Sequence, residues 1–226
     1  MELDHALGIQ QGVTAVIGGG GKTTLLRVLG ERLARRGYRV VLCATTKFFP
    51  FPGVETLNFP TRDSLRRALE RSGLVAAGTP VPGTGKLTAP ELSMEQMSAL
   101  ADYVLVEADG SAGRPMKAHA PHEPAIPPEA NQTVLVAGAF GFGKPIAQAA
   151  HRPERYARLA GAALEAPITP ELAAAVLRAE KLHQRVFVNQ AETSRDLVQA
   201  RKLGALLSCP VWAGALQKGD WISCSS

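Results

Sequence analysis

Val13-Thr14-Ala15-Val16-Ile17-Gly18-Gly19-Gly20-Gly21-Lys22-Thr23-Thr24 is the stretch on which the reading of this 226-residue chain turns. A short, largely apolar run makes a strand, and the glycines Gly18, Gly19, Gly20 and Gly21 make a tight loop. Lys22, Thr23 and Thr24 then open an amphipathic segment with Leu25, Leu29 and Leu33 at helical spacing. Strand, glycine loop, Lys-Thr and helix is the architecture of a phosphate-binding P-loop. Glycines let backbone N–H groups approach phosphate oxygens, and the helix N-terminus adds its partial positive charge. In that frame Lys22 reaches the β- and γ-phosphates of ATP or GTP, and the Thr23 hydroxyl ligates Mg2+.

The strict GxxxxGK[ST] spacing is not met, because its first glycine falls at Val16. The loop is closer to the xGGxGKTT form of deviant P-loop ATPases, with Ile17 where those carry a lysine. Outward from the loop, apolar runs at Arg39–Ala44, Tyr103–Val106, Thr133–Ala137 and Arg185–Val188 read as buried strands, with a last one at Pro210–Ala213. Helices are predicted from Thr24 to Arg36, from Thr61 or Asp63 to about Ser72, and from the capping box at Ser93 to about Ala101. Further helices are predicted over Pro153–Ala163, from Thr169 to about Ala179, and over Thr193–Leu207. This alternation predicts an α/β fold: a doubly wound, mostly parallel sheet of P-loop NTPase type. It is expected to form a single domain over residues 1–226, with an irregular Pro-rich insertion at about 111–130.

Composition narrows the function. The net charge is +5 and 46% of residues are hydrophobic, but no apolar run approaches the ~20 residues of a membrane helix. Aromatics make up only 5% of the chain, so the basic residues are not interleaved with stacking platforms. The expectation is no nucleic-acid partner and no membrane partner. The start Met1-Glu2-Leu3-Asp4-His5 lacks a signal-peptide core, and three cysteines form no CxxC, which points to a reducing, cytoplasmic setting. Cys43 is expected in the core and Cys224 near the surface.

Three further segments carry chemistry. Glu107 follows the strand Tyr103–Val106, the position of an acid that holds Mg2+ downstream of a P-loop. Asp109 is its rival, as metal ligand or as the group orienting an attacking water. Thr45, Thr46 and Lys47 end the second strand, where an open parallel sheet gathers its ligands. Thr45 is a candidate Mg2+ ligand, Thr46 a candidate for placing water, and Lys47 a phosphate contact. Asn189 and Glu192, in Asn189-Gln190-Ala191-Glu192, sit where a GTPase reads its base. The same residues also read as a polar start to the next helix. Arg114, Lys117, His122 and Glu123 in the Pro-rich stretch are candidate contacts to a substrate. His119 in the same stretch is more readily exposed or tied to backbone.

These blocks, in this order, resemble the YqeC family, described as accessory proteins of selenium-dependent molybdenum hydroxylases. The matching runs are GGGGKTT (18–24), ATTK (44–47), GKLT (85–88), YVLVEADGS (103–111), Arg114-Pro115-Met116-Lys117, HEPAIP (122–127), FGKP (142–145), HRPE (151–154) and VNQAE (188–192). The resemblance implies a cytoplasmic NTPase-like protein that helps mature a selenium-containing molybdenum cofactor or its enzyme. Its partners would then be a nucleoside triphosphate and a molybdenum hydroxylase or the proteins that make its cofactor. A small-molecule kinase or ligase acting on an anionic acceptor, and a non-hydrolysing nucleotide sensor, are the alternatives.

Overall fold

In the computed structural model, which describes residues 1–225, the predicted strands join one ten-stranded sheet. In chain order the strands are β1 (Gly12–Gly18), β2 (Val40–Ala44), β3 (Glu55–Asn58), β4 (Leu74–Val81), β5 (Lys86–Thr88) and β6 (Tyr103–Glu107). There follow β7 (Met116–Lys117), β8 (Ala130–Gly138), β9 (Ala150–His151), β10 (Arg185–Asn189), β11 (Val211–Ala215) and β12 (Asp220–Ser223). The helices are α1 (Leu3–Ala6), α2 (Lys22–Arg35), α3 (Arg62–Ser72), α4 (Met94–Ser98), α5 (Ile146–Ala149), α6 (Pro153–Ala160), α7 (Pro170–Glu180) and α8 (Ser194–Leu206).

The spatial order is β12-β11-β10-β8-β1-β6-β2-β4-β3, with β5 on β4. Among the described strand pairs, β11–β12 and β4–β5 alone are antiparallel. From β1 the chain passes through α2 to β2 on one side, and from β6 it crosses to β8 on the other. The direction of winding therefore reverses at β1, and a ligand crevice is expected at its carboxyl end. Register sets Val16 opposite Glu107, so the strand-end acid lies beside the end of the loop strand.

Packing follows the strand period of two. Val16 faces α2, where Leu25, Leu29 and Leu33 are fully buried against Leu42, Leu105 and Val136. Val13, Ala15 and Ile17 face the other side. There α3 and α4 bring Leu65, Leu69 and Met97, and α6 to α8 bring Tyr156, Leu177 and Leu203. Each fully buried leucine contributes about 1.5–3 kcal/mol relative to exposure. Ser93 forms the expected capping box and Thr169 caps α7. Of the two candidates for α3 it is Thr61 that caps, accepting from the Ser64 amide, with Asp63 in the first turn.

Several expectations need correction. β3 and β12 carry no apolar alternation in the sequence, because both are edge strands with no fully buried face. α4 stops at Ser98 and α6 at Ala160, where Gly161 turns left-handed at φ 66°. The Pro-rich segment is not wholly irregular, since β7 pairs in parallel with β9. Cys224 is buried, because its backbone packs on Gly204 of α8, where any Cβ would collide with it. Cys43 is in the core as expected, and burial pushes its thiol up to about 12. No helix among the described residues is long and apolar enough to cross a membrane.

Candidate functional site

The glycine loop runs from the end of β1 into α2, and its shape is fixed by close approaches. A Cβ on Gly19 would overlap the Arg114 carbonyl oxygen. Gly20 adopts φ 74° with its Cα against Gly138, a conformation and a space that only glycine fits. Three loop amides are committed to protein acceptors. Gly18 N–H donates to Asp109 Oδ2 (2.9 Å), Gly19 N–H to the Val136 carbonyl (2.9 Å) and Gly20 N–H to the Arg114 carbonyl (3.2 Å). This narrows the expectation that all four glycines cradle phosphate. The first α2 bond is Leu25 N–H to the Gly21 carbonyl, so Lys22, Thr23 and Thr24 present the unpaired amides of a helix start. The phosphate end of the cleft is therefore the first turn of α2 with Gly21, and the other glycines form its floor.

Lys22 is buried at the loop's centre. Its Nζ donates to the Gly18 carbonyl (2.8 Å) and lies 3.2 Å from Asp109 Oδ1, off hydrogen-bond geometry, and 3.7 Å from Glu107 Oε1. Thr23 Oγ1 donates to Glu107 Oε2 at 2.8 Å. The two acids that alternated as candidates are separated by the fold. Glu107 ends β6 and lines the cleft; Asp109 is fully buried under the loop and does not line it. Burial pushes the Glu107 carboxyl up, against the opposing pull of Lys22 and Thr23. Burial would also raise Asp109, but His119, Lys22, Lys117 and the Gly18 amide outweigh it and hold that carboxyl at about 2. Asp109 thus anchors the loop from beneath.

Around Asp109 lies a buried chain of charges. Lys117 Nζ sits 3.0 Å from Asp109 Oδ2 and 3.1 Å from Glu123 Oε2, and donates to the Gly110 carbonyl at 2.6 Å. Arg152 clasps Glu123 with two bonds, 2.8 and 3.2 Å. Burial would raise Glu123, yet Arg152 and Lys117 hold it at about 2. His119 bridges Asp109 Oδ2 through Nε2 and Glu180 Oε2 through Nδ1, both at 2.8 Å. Both partners are carboxylates, so both ring nitrogens donate, which is the imidazolium form. Burial opposes that charge, and the two carboxylates override it, raising the His119 pKa.

The structure thus brings Lys117 and Glu123 to the loop's underside and sends their neighbours elsewhere. His122 is exposed, and Arg114 turns its guanidinium to the Gln148 carbonyl. His119, expected to be exposed or tied to backbone, is instead buried and takes the central place, its ring between Asp109 and Glu180. The available signal was its two-residue spacing from Lys117, the period of extended chain. Arg152 belongs to the HRPE run already singled out, whereas Glu180 carries no sequence signal, because it arrives from the end of α7.

At the second strand end, Thr45 N–H donates to the Glu107 carbonyl (3.0 Å) while its hydroxyl is buried without a hydrogen-bond partner. Lys47 is exposed and lines the cleft, and Thr46 is half-buried. Across the sheet, Asn189 Nδ2 donates to the Gly20 carbonyl (2.9 Å), and its Oδ1 accepts from Leu216 N–H (3.3 Å). Glu192 pairs with Lys218 at 2.6 Å on the surface. Both residues, with Gln190, line a small pocket of about 90 Å³ against Gly21 and Thr24. Asn189→Ala is expected to cost about 1–3 kcal/mol, since it strips the buried Leu216 amide of its acceptor and frees the Gly20 carbonyl. Urea unfolding checks it; an unmoved midpoint would show that water replaces the side chain.

Comparison with known proteins fits this geometry into a family. The model of the YqeC protein family matches residues 14–154, a span holding the loop, Glu107, Asp109, Lys117, His119 and Glu123 but not Asn189 or Glu192. Over 164 residues the chain is 31% identical to a protein of Escherichia coli K12 described as uncharacterized protein YqeC, covering 66% of this chain. The chain spans 60% of that relative's length. Among solved structures, it superposes on FtsY of Mycoplasma mycoides with a TM-score of 0.47, 11% identity, and coverage of 96% of this chain and 65% of that one. For the Aquifex aeolicus MinC:MinD cell division complex the TM-score is 0.46 with 13% identity, covering 90% of this chain and 81% of the other. For the hydrogenase maturation factor HypB of Archaeoglobus fulgidus it is 0.43 with 11% identity, covering 96% and 87%.

Proposed function

Since the chain belongs to the YqeC family, we propose that it binds a nucleoside triphosphate with Mg2+ and hydrolyses it. The observation that carries this reading is the 2.8 Å bond between Thr23 at the head of α2 and Glu107 at the end of the adjacent strand, beside buried Lys22. That is the layout in which a hydroxyl and a carboxylate share a divalent cation while a lysine meets the phosphates.

The donor set suits Mg2+. Thr23 and Glu107 offer hard oxygens, and the orphaned Thr45 hydroxyl lies one residue past the end of β2, on a residue whose amide is tied to Glu107. Mg2+ would supply charge neutralisation for the phosphates. Lys22 gives up its bond to the Gly18 carbonyl for phosphate oxygens, and the amides of the first α2 turn hold them. Asp109 or Thr46 would place the attacking water, Asp109 from beneath the loop and Thr46 from the end of β2. Glu107→Gln keeps the shape and removes the charge. It is expected to raise the Mg2+ concentration needed for triphosphate binding by at least roughly tenfold. The fold should not suffer, because burial already disfavours that charge. An unchanged Mg2+ requirement would remove Glu107 from the metal site.

ATP versus GTP turns on the pocket at Asn189 and Glu192. Asn189 braces the loop with one Nδ2 hydrogen and Glu192 meets Lys218 through Oε2, which leaves the second Asn189 N–H and Glu192 Oε1 to meet a base. Calorimetry with both triphosphates decides the base. The place of the reaction in the maturation of a molybdenum hydroxylase, in the cytoplasm, is the part of the proposal drawn from the family resemblance. It is tested by hydroxylase activity in cells carrying the Lys22→Ala chain.

A small-molecule kinase or ligase is a second reading, favoured by one observation. The cleft continues well past the loop, to a volume of about 540 Å³, walled by the segments 47–52 and 110–113. Transfer of phosphate to an acceptor rather than to water would distinguish it.

A further inference from the structure

The cleft has a wall that phosphate does not need. Phe49 is 60% exposed and Phe140 40% exposed, two of only five large hydrophobic residues so exposed among those described, and both line this one cleft. They come from different parts of the chain, the loop after β2 and the turn after β8. Each has a lysine ammonium by its ring, Lys86 over Phe49 and Lys144 over Phe140, both at 4.9 Å. Lys47 lines the same wall, exposed and in no ion pair with a described residue. Two of the five non-glycine residues with positive φ, Ala112 (48°) and Gln190 (61°), also border it. Strained backbone of this kind concentrates where ligands are held.

We propose that this wall is a second binding site, for a small planar aromatic anion held beside the triphosphate. Exposed aromatic faces stack on flat rings, and Lys47, which lines the cleft, supplies the charge complement, with Lys86 and Lys144 beside the rings. The whole cleft, loop end included, has about 540 Å³, so the triphosphate and the second ligand share one space in the range of small-ligand sites, roughly 300–1,000 Å³. The site is distinct from the residues first expected to hold an acceptor: Arg114, Lys117, His122 and Glu123 do not line it. It rests on the triphosphate reading only in leaving the loop end of the cleft to phosphate.

Fluorescence titration with 1-naphthyl phosphate and with riboflavin 5′-phosphate, each against its uncharged parent alcohol, tests the proposal with and without Mg2+ and ATP or GTP. The expected result is saturable binding of at least one phosphorylated probe, tighter than its parent. Phe49→Ala and Phe140→Ala should each weaken it on the order of tenfold, the worth of one aromatic stack, while triphosphate affinity holds. Both side chains are exposed, so the variants should fold. Probe binding without any triphosphate binding would uphold this site and overturn the NTPase reading. The proposal fails if neither probe binds below about millimolar concentration, or if both substitutions leave binding unmoved. It fails equally if they weaken ATP or GTP in parallel, which would assign the wall to the nucleotide. Concentration-dependent self-association abolished by the same substitutions would overturn it too, making the wall a contact between copies.

Discussion

Lys22→Ala is expected to weaken triphosphate binding on the order of 100-fold, the worth of one or two charge-assisted hydrogen bonds in a partly desolvated cleft. In the structure the ammonium is held by the Gly18 carbonyl and faces both Asp109 and Glu107. Binding must exchange the carbonyl bond for phosphate oxygens. The exchange is cheap for Asp109, which keeps Lys117 and His119. The fold should therefore tolerate the substitution better than the site does. Calorimetry with ATP and GTP measures the first effect and thermal unfolding the second. Undiminished affinity in a folded variant would mean that the helix start alone holds the phosphates and that Lys22 serves the loop.

The larger effect on stability is expected at Asp109. Asp109→Ala removes its carboxylate and leaves three cationic groups, Lys117, His119 and Lys22, facing one another in the interior. Breaking a buried ionic cluster from one side costs about 3–5 kcal/mol. For a chain of this length that lowers the melting temperature by about 6–20 °C. It also releases the Gly18 amide, so the loop loses its first anchor. Asp109→Asn retains the size and serves if the alanine variant does not fold. A melting temperature within two or so degrees of the parent would show that the cations disperse to solvent.

The same cluster gives stability a pH window. Asp109 titrates at about 2 in the fold against an ordinary 3.8. Its contribution is complete above about pH 4 and is lost as pH falls toward 2. His119 is held above its ordinary 6.5. Its contribution is complete below that value and is lost as pH rises through the folded one. The parent should therefore lose stability above about pH 6.5. Asp109→Asn should lose it less steeply, because only Glu180 then favours the imidazolium.

What the sequence determined by itself is what depends on near neighbours. Val13–Ile17, the four glycines and Lys22-Thr23 specify strand, loop and helix within a dozen residues, and each was found in place. Thr61, Ser93 and Thr169 specify helix starts because a cap acts three residues away. Continuous apolar runs specify central strands because both of their faces are covered. Fold class followed from these, as did the meeting of Thr23 with Glu107, since acids at parallel strand ends converge on the loop.

Only the tertiary structure decided the rest. Glu107 and Asp109 stand two residues apart with the same chemistry, yet one opens on the cleft and the other lies beneath the loop, because the strand ends between them. His119 and His122 share one irregular segment with no period to sort them. The first is buried because Glu180, from α7, reaches it. Asn189, legible in the sequence as a base contact, also braces the loop, because β10 brings it to the Gly20 carbonyl. Phe49 and Phe140 become one wall only where two distant turns meet. In each case the deciding partner lies tens of residues away, and the energy that fixes the side chain comes from burying a charge or a ring against that partner, which no local pattern encodes.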